Sequence, residues 1–408
     1  MFTQSDIEQV IAGQREQAAR RGMGLLRDIL PTLPDLTSHA LIISGIRRCG
    51  KSTLLEQLLA HRGAEALALN FDDPRLAGFA SADFGLLDGL ITKSGVRSLF
   101  FDEIQVVPGW ESYIRQKLDE GFRIAITGSN ASLLSRELGT RLTGRHITKE
   151  IFPFSYREFL RFRSLAPGEE SLRLYLDEGG FPEYLKSKEP DILSGLLYDI
   201  LYRDIAVRYG IRDTRSLKQF AVYLFSNPGN LITANKFRQI LGIKTTATVL
   251  EYFSHLEDAY LIAFMPRFSH SARIQSVNPK KIYAADPGLV KVASLSFSDD
   301  RGRMLENAVY WQLRRRGMEV FYFNEKNAEC DFIAMRSGGK PLLMQVCHEL
   351  TSANRQREQR GLSAAMDFFQ AEEGLIITFA QRDAYVDQGR QIQVVPAWEF
   401  FTSTYLKI

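Results

Sequence analysis

Apolar residues fall in short unbroken runs over the first third of the chain. Ala40-Leu41-Ile42-Ile43-Ser44, Ala66-Leu67-Ala68-Leu69-Asn70-Phe71, Ser98-Leu99-Phe100-Phe101 and Phe122-Arg123-Ile124-Ala125-Ile126-Thr127 each read as a strand. Runs without polar alternation belong to strands buried on both faces, and helical periodicity fills the stretches between them. The pattern predicts an α/β core: a mostly parallel sheet covered by helices. Ile7, Val10 and Ile11, then Leu25, Leu26, Ile29 and Leu30, predict an amphipathic helix over residues 5–30, punctuated by Pro31 and Pro34. A further helix is predicted from Ser52 to Ala60.

The pattern changes after residue 150. Residues 155–226 show helical spacing, with Leu172, Tyr175 and Leu176, then Leu193, Leu196, Leu197, Ile200 and Leu201, and no clear strand. From 230 to 285 the order is helix, turn, helix, then two extended runs, and residues 216–285 read as a winged helix. Its parts are Asn235 to Ile240, Thr245 to Asp258, and the runs Tyr260–Arg267 and Lys280–Ala284. A helix from Met304 to Arg315 precedes strand-like runs at Glu319–Phe323, Cys330–Met335 and Leu342–Cys347, and a last helix and strand follow at 355–371 and 374–379.

A length of 408 residues exceeds one ordinary core and suggests about two to four domains. The expected division is residues 1–150, 151–212, 213–300 and 301–408. A net charge of only +3 excludes a global polyelectrolyte, so any basic surface is local. Three cysteines, Cys49, Cys330 and Cys347, form no C-x-x-C pair. They favour a reducing compartment over a zinc site or disulfide framework, with Cys330 and Cys347 as packed core thiols. Met1 to Asp6 show no basic, apolar leader, and no apolar run is long enough to span a bilayer. The expectation is a cytoplasmic protein without membrane association.

The chemistry concentrates at strand ends. Gly45-Ile46-Arg47-Arg48-Cys49-Gly50-Lys51-Ser52-Thr53 is a G-x-x-x-x-G-K-[ST] loop between a strand and a helix. Its glycines turn backbone N–H groups inward to cradle phosphate, and the helix amino terminus adds its dipole. Lys51 is expected to reach the β- and γ-phosphates of ATP, and Ser52 to ligate Mg²⁺. Leu99-Phe100-Phe101-Asp102-Glu103 delivers two carboxylates to the carboxyl end of another strand. Asp102 is expected to hold Mg²⁺ and Glu103 to polarise the attacking water, against the plainer reading of two solvated acids. In Thr127-Gly128-Ser129-Asn130, Ser129 and Asn130 are candidates to touch the γ-phosphate or that water, or merely to form a turn and helix cap. Of Arg136, Arg141 and Arg145, the last is the candidate arginine finger, against a surface ion pair.

These segments, with Phe101-Asp102-Glu103-Ile104-Gln105 and Leu142-Thr143-Gly144-Arg145, resemble the bacterial and archaeal AAA+ superfamily ATPases that carry a C-terminal domain of unknown function. The likeness continues through Gly179-Gly180-Phe181-Pro182-Glu183, Tyr202-Arg203-Asp204-Ile205, Tyr283-Ala284-Ala285-Asp286 and Leu305-Glu306-Asn307. It implies a sheet in which the Asp102 strand does not neighbour the P-loop strand. It implies a helical lid whose Gly180-Phe181-Pro182 lies over the adenine, although a rigid turn between helices fits as well. It also implies assembly as a homo-oligomer.

Arg267 to Lys281 holds four basic residues and no acid, a tip that could track DNA phosphates. The preceding helix, with Glu251, Glu257 and Asp258, is poorly suited to reading bases. Glu306, Glu329-Cys330-Asp331 and Gln345-Val346-Cys347 resemble a PD-(D/E)xK nuclease arrangement. Gln345 stands where the second acid belongs and Cys347 where the lysine belongs, so nuclease activity is not expected. Arg314-Arg315-Arg316 reads either as a binding patch or as a solvated helix end. The leading expectation is an oligomeric ATPase acting on duplex or branched DNA. The alternative is a nucleotide-dependent switch with slow turnover and no DNA.

Overall fold

Continuous apolar runs leave no polar face to meet water, and in the computed structural model they stack into one sheet. The structure describes residues 2–63, 65–129, 144–294, 301–325 and 328–403. It divides into two compact units, one of Met1–Phe152 with Asp258–Tyr260, the other of Pro153–Glu257 with Leu261–Ile408.

In the first unit α1 (Gln4–Arg21) precedes β1 (Ala40–Ser44), α2 (Lys51–Arg62), β2 (Ala66–Asn70), α3 (Phe84–Ser94), β3 (Ser98–Asp102), α4 (Trp110–Asp119), β4 (Arg123–Gly128) and β5 (His146–Glu150). The strands lie in the order β2-β3-β4-β1-β5, all parallel. β4 thus separates the Asp102 strand from the P-loop strand, as the resemblance implies. Ile7, Val10 and Ile11 of α1 join the apolar core that includes Leu69, Phe101, Ile124 and Ile126.

The helix expected over 5–30 is shorter than that. A capping box between Thr3 and Asp6 starts α1, and the backbone turns left-handed at Gly22 and Gly24, ending it. The second half of α1 covers an open sheet edge. The Gln14 side-chain amide donates to Asn70 O (3.0 Å) and accepts from Asn70 N (2.9 Å), acting as one further strand residue beside β2. β5 is not evident in the sequence because His146-Ile147-Thr148-Lys149-Glu150 is only partly buried and lacks an apolar run.

The second unit opens with α5 (Tyr156–Arg163), α6 (Glu169–Glu178), α7 (Pro182–Ser187) and α8 (Pro190–Asp199), which runs on into a π-helical segment, Ile200–Val207. Then come α9 (Thr214–Phe225), β6 (Leu231–Ile232), α10 (Ala234–Leu241), α11 (Thr246–Asp258), β7 (Ile262–Met265), α12 (Ala272–Val277), β8 (Lys280–Ala284) and α13 (Pro287–Ala293). Strands β6, β8 and β7 form an antiparallel sheet in that order. The chain ends in α14 (Arg301–Arg315), β9 (Glu319–Glu325), β10 (Ala328–Met335), β11 (Leu342–Val346), α15 (Arg355–Phe369), β12 (Glu373–Thr378), β13 (Asp383–Asp387), β14 (Arg390–Pro396) and α16 (Ala397–Thr402). Its six strands form a mixed sheet ordered β13-β14-β12-β11-β10-β9.

Residues of both basic segments singled out in the sequence are engaged by the protein itself. Lys281 does not extend the basic tip between β7 and β8, because its side chain is 4% exposed and surrounded by carboxylates. Nor do Arg314-Arg315-Arg316 form an open patch. Arg314 donates to the Tyr310 hydroxyl, Arg315 to Pro153 O, and Arg316 to Phe400 O and Ser403 O. A tyrosine hydroxyl, backbone carbonyls and, for Arg316, the Phe400 ring take up these guanidinium groups. The three cysteines are free thiols and all buried.

Candidate nucleotide site

At the end of β1 the chain passes so close to Ile151 that a Cβ at Gly45 would stand 2.1 Å from the Ile151 carbonyl oxygen. Only glycine fits there. The loop then delivers Lys51 as the first residue of α2, whose amino terminus supplies unpaired N–H groups and a positive dipole end. The Lys51 ammonium donates to Gly45 O (3.1 Å) and Ile46 O (3.2 Å) and lies 3.9 Å from Glu103 Oε1. Arg48 is exposed in a left-handed backbone conformation, Cys49 is buried and Thr53 half-buried. Burial pushes the Cys49 thiol up, so it is a packed, protonated part of the loop.

The loop is braced from outside. Arg27, 6% exposed, donates to Cys49 O (2.8 Å) and Phe152 O (2.7 Å). Gln57 of α2 donates to Met23 O and Leu25 O and accepts from Arg27 N, holding the segment before β1 against the helix. The sequence gives no sign of either role, since both depend on distant partners.

β3 presents Asp102 at its last position, followed by Glu103 in a left-handed turn. Thr127, near the end of neighbouring β4, connects the two acids. Its hydroxyl donates to Asp102 Oδ1 (2.5 Å) and accepts from Glu103 N (3.0 Å). The Glu103 carboxylate also accepts from Ser129 Oγ (3.2 Å) and from the Gln105 amide. The neighbouring Ser52 hydroxyl, like that of Thr127, favours the charged form of Asp102. Burial, and then the Glu103 charge, push the Asp102 carboxyl above its ordinary range. A serine hydroxyl and a buried, strained-to-ionise carboxylate side by side make a hard-oxygen set that fits Mg²⁺. Thr127 and Gln105 lie within these motifs, but their spacing alone predicts no role for them. Their signal was a polar residue at the carboxyl end of a buried strand or in the turn beyond it.

Of the remaining expected residues, Asn130, Arg136 and Arg141 lie outside the described residues. Arg145 pairs with Asp119 at the end of α4, and its carbonyl accepts from Ala40 N (3.1 Å). It therefore sits at the amino ends of β1 and β5, the opposite edge of the sheet from Gly45 and Lys51. Gly180, Phe181 and Pro182 lie in the second unit. There Gly180 N donates to Asp286 Oδ2 (2.7 Å), Gly180 O accepts from Phe154 N (2.8 Å), and Phe181 is 1% exposed. A Cβ at Gly180 would stand 2.3 Å from Phe154 O, so this turn is rigid and closely packed.

Residues 37–160 match the AAA domain, and residues 169–301 match a domain of unknown function, DUF8612. The second match covers most of the helical segment and the three-stranded sheet and stops where α14 begins. The uncharacterized protein MJ1544 of Methanocaldococcus jannaschii is 33% identical over 424 residues, covering 96% of this chain and 94% of its own. An uncharacterized protein of Haemophilus influenzae is 32% identical over 335 residues, covering 77% of this chain and 84% of its own. Among solved structures, the Thermotoga maritima RuvB Holliday junction branch migration motor covers 62% of this chain and 89% of its own at 17% identity and TM-score 0.26. Drosophila ORC bound to AT-rich DNA and Cdc6 covers 70% and 92% at 10% identity and TM-score 0.20. The chain belongs to the family of AAA-domain proteins that carry this domain of unknown function.

Proposed function

We propose that the chain binds and hydrolyses ATP with Mg²⁺, that a neighbouring copy completes its site, and that turnover drives work on duplex or branched DNA. The observation that carries the reading is the convergence of Lys51, Ser52, Asp102, Glu103 and Thr127 at the carboxyl ends of β1, β3 and β4. Lys51 has two backbone carbonyls and one carboxylate within 4 Å, partners it exchanges for phosphate oxygens. Glu103, fixed by Ser129 and Gln105, orients and deprotonates the attacking water. Ser52 and Asp102 would hold Mg²⁺, which supplies neutralisation of phosphate charge when bound. Asn130 is assigned to the γ-phosphate, and Gly180–Pro182 to sensing nucleotide at the adenine.

Arg145 is assigned as a finger acting in trans. The five residues of β1 span about 16 Å at the usual strand rise, which puts it out of reach of its own phosphates.

The DNA reading is supported by the helix–strand–helix–helix–strand–helix–strand order from α9 to β8, that of a winged helix with the short helix α12 between its two wing strands. Lys236, Arg238 and Lys244, exposed on and beside α10, are placed to track phosphates. One observation favours the switch reading instead: Lys281 and Arg314–Arg316 are engaged inside the protein. ATP turnover measured with duplex, single-stranded and four-way DNA at low salt separates the two. Stimulation by DNA supports the motor. Absence of binding to all three, with ATP-dependent assembly, leaves the switch.

A further inference from the structure

A buried lysine in the second unit stands among three carboxylates. Lys281 of β8 sends its ammonium between three carboxylates, 2.8 Å from Asp331 Oδ1, 2.8 Å from Glu329 Oε1 and 3.1 Å from Glu306 Oε1. An ammonium has three N–H donors and no acceptor, and here each acid offers one oxygen. The remaining contacts fit the same occupant. Tyr283 donates to Glu306 Oε1 (2.7 Å), and Val346 N donates to Asp331 Oδ2 (3.0 Å).

The two departures from the nuclease pattern are consistent with it. The Gln345 amide accepts from Asp331 N (3.2 Å) and donates to Glu358 Oε2 (2.7 Å). An ionised glutamate at 345 could not donate, and it would set another negative charge against Glu358. Cys347 packs in the apolar core beside β11, and burial pushes its thiol up to about 12. The position that would carry a lysine is thus neutral, and the cation arrives from β8.

We propose that Lys281 is the resident cation of the C-terminal carboxylate pocket: its ammonium stands where a divalent metal would sit, ties β8 to α14 and β10, and keeps the native chain from loading a metal there. Burial pushes the Glu306 carboxyl up, and the nearby ammonium opposes that rise. Removing one partner of such a cluster leaves uncompensated buried charge. The pocket without Lys281 should therefore take up another cation.

The test is Mn²⁺ binding to the full chain without nucleotide, read by loss of the free-ion electron paramagnetic resonance signal. Lys281→Met should gain one Mn²⁺ per chain, with an affinity about tenfold or more above wild type, and Lys281→Met/Asp331→Asn should lose it. If Lys281→Met does not fold, Lys281→Met/Glu306→Gln, with one buried carboxylate fewer, is measured in the same way. Rescue of folding by Mn²⁺ counts as a gain. The proposal is overturned if the wild type binds Mn²⁺ equally well and Asp331→Asn abolishes that binding. It is also overturned if the Lys281 variants gain nothing, or fail to fold with and without Mn²⁺.

Discussion

Thr127 occupies the point where β3 and β4 come together. One hydroxyl there serves both the buried Asp102 carboxylate and the backbone N–H of Glu103. Thr127→Val keeps the shape and removes both bonds, leaving a buried acceptor and a donor unmatched. Denaturant unfolding should show a loss of about 1–3 kcal/mol. Phosphate release should fall because Glu103 is no longer held, while nucleotide binding through Lys51 persists. Lys51, Asp102 and Glu103 could be read from the sequence because their spacing is local and the chemistry demands those residue types. Thr127, Gln105 and Arg27 could not. Arg27 bonds to carbonyls 22 and 125 positions away, and only folding brings them together.

At the level of elements, buried strands were the easiest to anticipate. β1 to β4 fall on the apolar runs to within a residue or so, since a strand covered on both faces has no other composition available. β5, β13 and β14 are only partly buried, so their apolar signal is weak. Apolar positions continue past Gly22 and so predict a helix over 5–30, but backbone geometry stops α1 at Gly22. Asp286 shows how one side chain joins elements. It caps α13 by accepting from Gly288 N (2.8 Å) and holds the turn after α6 through Gly180 N. Burial pushes its carboxyl up to about 6, opposed by those N–H donors and by Arg315. Between the ordinary carboxyl range and about 6, the folded chain holds a proton at Asp286 that the unfolded chain has released. Stability from this group is therefore fully present at low pH and is lost as pH rises through that window. Wild type should show this decline, on the order of 2 to 3 kcal/mol, and Asp286→Asn should flatten it in unfolding curves taken from pH 4 to pH 7.

At the scale of the whole molecule, the proposed role of Arg145, which lies at the edge of the sheet opposite the phosphate loop, predicts that more than one chain completes the site. Arg145→Ala and Lys51→Ala should each be nearly inactive alone. Mixed together, they should recover part of the turnover, because an intact loop then meets an intact arginine. Absence of recovery, with mixed assembly demonstrated by mass, would mean that Arg145 serves only its ion pair with Asp119. Among the described residues no helix is long and apolar enough to cross a membrane. Glu103 is the residue proposed to activate water, and the proposed hydrolysis depends on it above all. Phosphate release by wild type and Glu103→Gln, at saturating ATP and Mg²⁺ with bound nucleotide measured in parallel, tests this most directly. The variant should retain ATP and lose roughly a hundredfold or more in rate. Equal rates in the two chains, or no hydrolysis by wild type under any condition of assembly, would contradict it.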